Sequence, residues 1–525
     1  MKTTRKVFAI ALSLVMVFAL AISAFAANEY SITIDNKAPD HVYEAYQIFA
    51  GNLSTNAEGA KVLANITWGS GVDQTKTVGG QTLADVFSGK TAEEIAAGIK
   101  TETDAKDFAA KVAPYLKNAK TSGAQAGDKY VISGLDAGYY LVKDQNNTLQ
   151  DKDDFYTAYM MKVVANVNAT PKGDKPSLDK QIKHNESGTW GVVGDNQIGD
   201  TVEFRTITTV PDTTGYDTYV YKIHDTMSVG LTSNVSTAAD ITIKVNDAKV
   251  LDAKYYTVTA NGNSFTVNVD ILAAINDGVL AKNDSLYTYY TGVLNADAKV
   301  YDEGRQDNTA QLEYSNNPND EGTGKTKEVK VYDWTFKMGI NKVDENGNAL
   351  TGAKFVLSKN GALKVSDLNC NAEGIPTNTA DLIALVKVSD GVYRVATGTD
   401  AAETIVYNID AGNAVIKGLD DSITYYLYET KAPEGYNLLK SPVEFKISAE
   451  YEANGDLKTG SPTVTVGAGE PSATLSTDVV NNSGSTLPET GGIGTTIFYI
   501  AGALLVVAAG IILVTRKRMS SKTKA

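Results

Sequence analysis

Apolar and polar positions alternate over most of this chain, and the alternation has the period of a β-strand. Clear runs are Ser31-Ile32-Thr33-Ile34, Tyr255-Tyr256-Thr257-Val258-Thr259 and Ser264-Phe265-Thr266-Val267-Asn268-Val269, with Asn-Gly and Asp-Gly pairs along the chain marking turns. A helical period occurs in one region. Thr91 followed by Glu94 forms a capping box ahead of Ile95-Ala96-Ala97, and the helical pattern continues from Asp104 to Leu116. The join Thr170-Pro171-Lys172-Gly173-Asp174-Lys175-Pro176 is polar, holds two prolines and reads as a linker. The pattern predicts a mainly β fold, an elongated tandem of immunoglobulin-like β-sandwich domains whose first member carries added short helices. The expected sections are residues 27–172, closing on a strand from Met160 to Val167; residues 173–331, strand-rich throughout; and residues 332–486. The third opens on Trp334-Thr335-Phe336-Lys337-Met338-Gly339-Ile340, and Ser483-Gly484-Ser485-Thr486 reads as its flexible tether.

Two long apolar runs break the alternation, one near each end. Lys2, Arg5 and Lys6 precede the run Val7–Ile22, and the small residues Ser23-Ala24-Phe25-Ala26-Ala27 close it. That order predicts a secretory signal peptide, residues 1–26, cleaved between Ala26 and Ala27. The second run, Thr495 to Val514, is long enough to cross a bilayer, and Arg516-Lys517-Arg518 would hold its end on the cytoplasmic side. Just ahead of it stands Leu487-Pro488-Glu489-Thr490-Gly491. The pentapeptide LPxTG, an apolar span and a basic tail, in that order over residues 487–525, resemble the sorting signal read by sortase transpeptidases. The resemblance implies cleavage between Thr490 and Gly491, with the Thr490 carboxyl passed through a sortase thioester to an amine. The apolar span would then be a transient membrane anchor for a protein destined for the cell wall and surface.

Residues 27–490 suffice for about three domains of typical size. The whole chain carries a net charge of −14, and both expected removed ends contain Lys and Arg but no Asp or Glu, so the mature part is more acidic still. Such acidity argues against nucleic acid and anionic membrane surfaces as partners. Cys370 is the only cysteine, so an exported chain that could carry disulfides has no intrachain one. Its domains must be held by their cores or by another kind of link.

The third section contains Ile340-Asn341-Lys342-Val343-Asp344, then Leu350-Thr351-Gly352-Ala353-Lys354-Phe355. Further on come Tyr425-Tyr426-Leu427-Tyr428-Glu429-Thr430-Lys431-Ala432-Pro433-Glu434-Gly435-Tyr436 and, last, Asp478-Val479-Val480-Asn481-Asn482. This set resembles a collagen-adhesin B-type domain, with its K-x-D, L-x-G-A-x-F and Y-x-L-x-E-T-x-A-P-x-G-Y signatures. The resemblance implies a spontaneous isopeptide bond between Lys342 and Asn481, with Glu429 as its catalyst. Asn482 is the rival acceptor, but alternation puts Val479 and Asn481 on one face and favours Asn481. Against the bond stands an ordinary buried Lys–Glu pair beside a hydrogen-bonded Asn.

The second section offers a parallel set. In Leu178-Asp179-Lys180-Gln181-Ile182-Lys183, alternation sends Lys180 inward with Leu178 and Ile182 and sends Lys183 outward. Tyr221-Lys222-Ile223-His224-Asp225-Thr226-Met227 resembles the acid-bearing strand of the middle domains of sortase-assembled pilins, and Asp307-Asn308-Thr309-Ala310-Gln311-Leu312 resembles their Asn-bearing final strand. By that resemblance Lys180, Asp225 and Asn308 form the second set, with Lys183 as the other possible nucleophile. The first section has Lys143-Asp144 where the acid box would read Glu-Thr, and no isopeptide bond is assigned there. Val167-Asn168-Ala169-Thr170-Pro171-Lys172 is similar to the V-x-V-Y-P-K motif of backbone pilins, with Ala169 and Thr170 in place of Val and Tyr. It implies Lys172 as the amine that receives the next subunit's Thr490, with Lys175 a nearby competitor.

These resemblances imply the shaft subunit of a covalently polymerised pilus, supporting adhesion. Its partners would be a pilin-type sortase, a housekeeping sortase, identical subunits linked head to tail, peptidoglycan, minor pilins and host surface ligands. The alternatives are a wall-anchored adhesin that does not polymerise and a surface enzyme. Against the enzyme, the chain shows no catalytic set beyond the isopeptide residues. Gly324-Lys325-Thr326 lacks the first glycine and the strand of a phosphate-binding loop. Asp344-Glu345-Asn346-Gly347 fits a hairpin turn better than a calcium loop. The three histidines, His41, His184 and His224, are scattered, and nothing local activates Cys370. No metal and no cofactor are expected.

Overall fold

The computed structural model describes residues 30–57, 59–171, 175–213, 216–317, 322–484 and 493–521. Its architecture follows from the alternation: successive side chains of each strand point to opposite faces, so the apolar set of each run is buried together. Leu178–Lys183 shows this, with Lys180 and Ile182 buried and their neighbours more exposed.

The first section holds two sheets. Tyr30–Asp35 lies between Lys129–Leu135 (antiparallel) and Val167–Ala169 (parallel). Tyr43–Thr55 lies between Lys61–Trp68 and Gly138–Asp144, which in turn pairs with Ala158–Val163. The strand expected from Met160 to Val167 is therefore two strands in different sheets. Asn166 in the break accepts the Ser31 amide at 3.0 Å, which turns the chain from one sheet to the other.

Three short helices, Leu83–Val86, Ala92–Gly98 and Glu102–Val112, cover this section, each opened by a capping box: Thr82 with Asp85, Thr91 with Glu94, Thr101 with Asp104. The third starts two residues before the expected Asp104, because Thr101 and not Asp104 is its N-cap. Its regular part ends at Val112, with Pro114 in a following 3-10 turn.

The second section is a sandwich of two seven-stranded sheets. One contains Leu178–Lys183, Thr201–Thr209 and Ser285–Leu294; the other contains Tyr221–Met227, Ser264–Val269, Gln306–Ser315 and Val329–Trp334. Tyr256–Asn261 and Ser264–Val269 form a hairpin whose Gly262 takes φ +58°, a conformation that glycine adopts without strain. Strand is not continuous here: Ile271–Asn276 is a helix capped by Asp270, a signal the strand-rich reading missed. Nor is the strand of Asn308 the final one. Thr323–Lys325 and Val329–Trp334 follow and pair with it. The second of these crosses the expected join at 331/332.

The third section pairs Phe336–Asp344 with Asn413–Leu419 (antiparallel) and with Ser476–Asn481 (parallel). Its other sheet centres on Ala353–Ser358 and Thr424–Lys431. Asp344 Oδ1 accepts the amides of Asn346 and Asn348 at 2.8 Å each, so this stretch is a turn. One continuous cluster of buried apolar side chains runs through the second and third sections, with a small separate one at Val356, Leu368 and Tyr428, whereas the first section has two of its own.

Candidate functional site: two buried lysine, acid and asparagine clusters

In the second section, Lys180 and Tyr290 come from one sheet and Asp225 and Asn308 from the sheet facing it. All four are buried, none more than 4% exposed. The Lys180 ammonium donates to Asp225 Oδ2 and to the Tyr290 hydroxyl, which also donates to Asp225 Oδ2. Asn308 Nδ2 reaches the same hydroxyl at 3.4 Å. Burial drives the lysine below its usual pKa, against the pull of Asp225, and drives the Asp225 carboxyl above its own. The dry core thus pushes both groups toward their neutral forms.

In the third section, Lys342, Glu429 and Asn481 are equally enclosed. Lys342 Nζ donates to the Val479 carbonyl at 2.7 Å and to that of Val343 at 3.3 Å. Asn481 Nδ2 donates to Glu429 Oε2 at 3.0 Å and to the Asn437 carbonyl at 2.8 Å, and the Leu439 amide holds the same carboxylate oxygen at 2.8 Å. Burial again lowers the lysine and raises the acid.

The two clusters share a detail. In each, the buried atoms without a hydrogen-bond partner include one acid oxygen and the asparagine carbonyl oxygen: Asp225 Oδ1 with Asn308 Oδ1, Glu429 Oε1 with Asn481 Oδ1. A proton on the acid, donated to the amide oxygen, would satisfy both and polarise the amide carbon toward the amine.

The rival residues lie elsewhere. Lys183 points outward and pairs with Glu203 at 2.7 Å, while Asn482 is exposed next to the buried Asn481. Lys175 is engaged by Asp153, donating to its carbonyl at 2.6 Å. Tyr290 was not foreseen. Its signal was the alternation of Leu286, Thr288 and Tyr290 on the inward face of Ser285–Leu294, which puts a hydroxyl in the core. In the first section Asp144 is buried, but its partner is His41, whose Nδ1 lies 2.7 Å away, and not a lysine. Burial raises the Cys370 thiol, in keeping with an unactivated cysteine. Lys172, the signal-cleavage pair Ala26 and Ala27, and the sorting residues Leu487, Pro488, Glu489, Thr490 and Gly491 lie outside the described residues. Beyond them Ile493–Ser521 is a helix, and its Phe498–Lys517 part is apolar and long enough to cross a membrane.

Comparison with known proteins gives the geometry its context. Residues 336–459 match the prealbumin-like fold domain family, and residues 479–521 match the LPXTG cell wall anchor motif. The fimbrial subunit type 1 of Actinomyces viscosus is 26% identical over 460 residues, covering 80% of this chain and 81% of that protein. The chain resembles sortase-assembled major pilins. The comparisons support a structural pilus shaft subunit anchored to the cell wall, and the C-terminal apolar helix fits a transient membrane hold. The pilin is also 27% identical over 344 residues to the trypsin-resistant surface T6 protein of Streptococcus pyogenes serotype M6, covering 56% of this chain and 60% of that one. The full-length major pilin SpaD of Corynebacterium diphtheriae superposes with a TM-score of 0.49 at 16% identity, over 87% of this chain and 98% of that one.

Proposed function

We propose that this pilin crosslinks itself internally before it carries load, through amides between Lys180 and Asn308 and between Lys342 and Asn481. In each, the neutral lysine Nζ attacks the asparagine side-chain carbon. The new N–C bond forms as the C–N bond of the amide breaks, and ammonia leaves with protons supplied by the amine and relayed by the acid. Asp225 and Glu429 are the catalysts, each for one turnover, and the pilin turns over no external substrate. What supports this reading is the matched pair of unpartnered oxygens in two separate buried clusters.

In the same proposal, residues 27–172, 173–331 and 332–486 act as three units in series. Lys172 receives Thr490 of the next subunit from a pilin-type sortase, giving head-to-tail polymers. A housekeeping sortase passes the last Thr490 to peptidoglycan, and minor pilins and host surface ligands complete the fibre's partners. Wall extracts run on a denaturing gel test this. A ladder of high-mass species is expected from the wild type and only monomer from Lys172→Ala. A ladder that survives the substitution overturns the assignment of Lys172, and a wild type without any ladder overturns polymerisation.

A further inference from the structure

The join between the second and third sections is built as tightly as a domain interior. The Ile198 amide donates to the Gly418 carbonyl at 3.0 Å, and a Cβ on Gly418 would sit 2.6 Å from Ile198 Cδ1. Trp334 Nε1 donates to the Gly455 carbonyl at 3.0 Å, and Arg305 lies 3.5 Å over the Tyr332 ring while pairing with Asp456 at 2.7 Å.

In this join sit four buried carboxylates, none more than 2% exposed: Asp195 and Asp333 from the second section's sheet, Asp420 and Asp421 from the loop after Asn413–Leu419. Among the described residues no Lys or Arg pairs with any of them. The sole cationic partner is His184, whose Nε2 is 3.2 Å from Asp195 Oδ2. The Tyr451 hydroxyl donates to Asp195 at 3.0 Å, and the Ala449 amide donates to Asp421 at 2.9 Å. Even so, Asp195 Oδ1, Asp421 Oδ1 and His184 Nδ1 are buried with no hydrogen-bond partner. Buried carboxyl groups on this scale are normally paired, neutralised by a proton or bound to metal.

One donor atom each from His184, Glu186, Asp195 and Asp421 lies within 4.8 Å of the others. We infer that these four residues form a divalent-metal site spanning the second and third sections, with Asp420 and Asp333 supporting it. A set of one imidazole and three carboxylates suits zinc or manganese better than calcium, which takes oxygen ligands throughout. Bonds to such ions are about 2.1 Å long, so donors must close to ~4 Å; Glu186 and His184, both partly open to solvent, can move to do this. The bound ion would clamp the two sections independently of either proposed crosslink.

The test uses the full-length pilin, stripped with a chelator and titrated calorimetrically with zinc, manganese and calcium salts separately. The wild type should take up one equivalent of zinc or manganese. Asp421→Asn and Glu186→Gln should each weaken that uptake at least tenfold, with circular dichroism unchanged. Glu186 lies at the exposed rim, so its variant keeps the test sound even if Asp421→Asn folds poorly. No saturable uptake by the wild type, uptake that neither substitution weakens, or a preference for calcium would each overturn the site.

Discussion

Lys342 and Val479 face each other on adjacent parallel strands, and the lysine ammonium donates to the valine carbonyl at 2.7 Å. Asn481 follows on the same buried face, so the first and last strands of the third section are direct neighbours. The second section differs, because Lys180 and Asn308 belong to opposite sheets. A bond in the third section would staple two strands of one sheet; a bond in the second would cross the core.

Each bond releases one ammonia, so the mature pilin should weigh two ammonia less than its sequence. Asp225→Ala and Glu429→Ala should each restore one, and each should lower the stability of its own section. The loss expected on the chain-entropy model for loops of more than a hundred residues is ~5 kcal/mol. Intact-mass spectrometry reads the first effect and urea denaturation the second. A wild type at full sequence mass would rule out both bonds.

Tyr290 gives a finer test, since its hydroxyl touches Lys180, Asp225 and Asn308. Tyr290→Phe leaves the ring in place and strips the cluster of that partner, at a cost of about 1–3 kcal/mol. Crosslinking of the second section should slow or stop, while the third proceeds as before. Tryptic peptides joining Lys180 to Asn308 and Lys342 to Asn481 report the two separately. Equal yields of both in this variant would show that Tyr290 is only a core residue.

Under tension from Lys172 to Thr490, the parallel strands Phe336–Asp344 and Ser476–Asn481 are loaded in shear. A covalent tie at Lys342 and Asn481 takes that load and leaves the intervening strands slack. Force spectroscopy should therefore find almost no extension in the second and third sections. Glu429→Ala should add the unravelling of one section, and Asp225→Ala that of the other. Extension of both wild-type sections at ordinary unfolding forces refutes the load-bearing role.

His41 predicts a pH response confined to the first section. Burial alone would lower its pKa, but hydrogen bonds to Asp144 at 2.7 Å and Asp154 at 3.2 Å outweigh it and raise it to about 9. The stabilisation is fully present below pH 6.5, shrinks as pH climbs and is gone above about 9. Its full size is ~3 kcal/mol. The urea midpoint of the first section should fall between pH 6 and 10, and His41→Gln should flatten that slope. A slope unchanged by the substitution would place its cause elsewhere.

Alternation determined more of this protein than any motif did. It sent Lys180 inward and Lys183 outward, and it separated Asn481 from Asn482, because a strand's period of two decides the facing of each side chain locally. The C-terminal end was equally legible, since a sorting signal acts as linear sequence. What alternation could not supply was which strands meet. The partition of Ala158–Val163 and Val167–Ala169 between two sheets, the strands that follow Asn308, and the approach of Tyr290 to Lys180 all depend on pairing between distant segments. The His184 cluster shows the same limit: its histidine looked isolated because Asp195 and Asp421 reach it from other parts of the chain. Side-chain facing is a local property of each strand, whereas partners across a core or a domain join exist only once non-local contacts have formed.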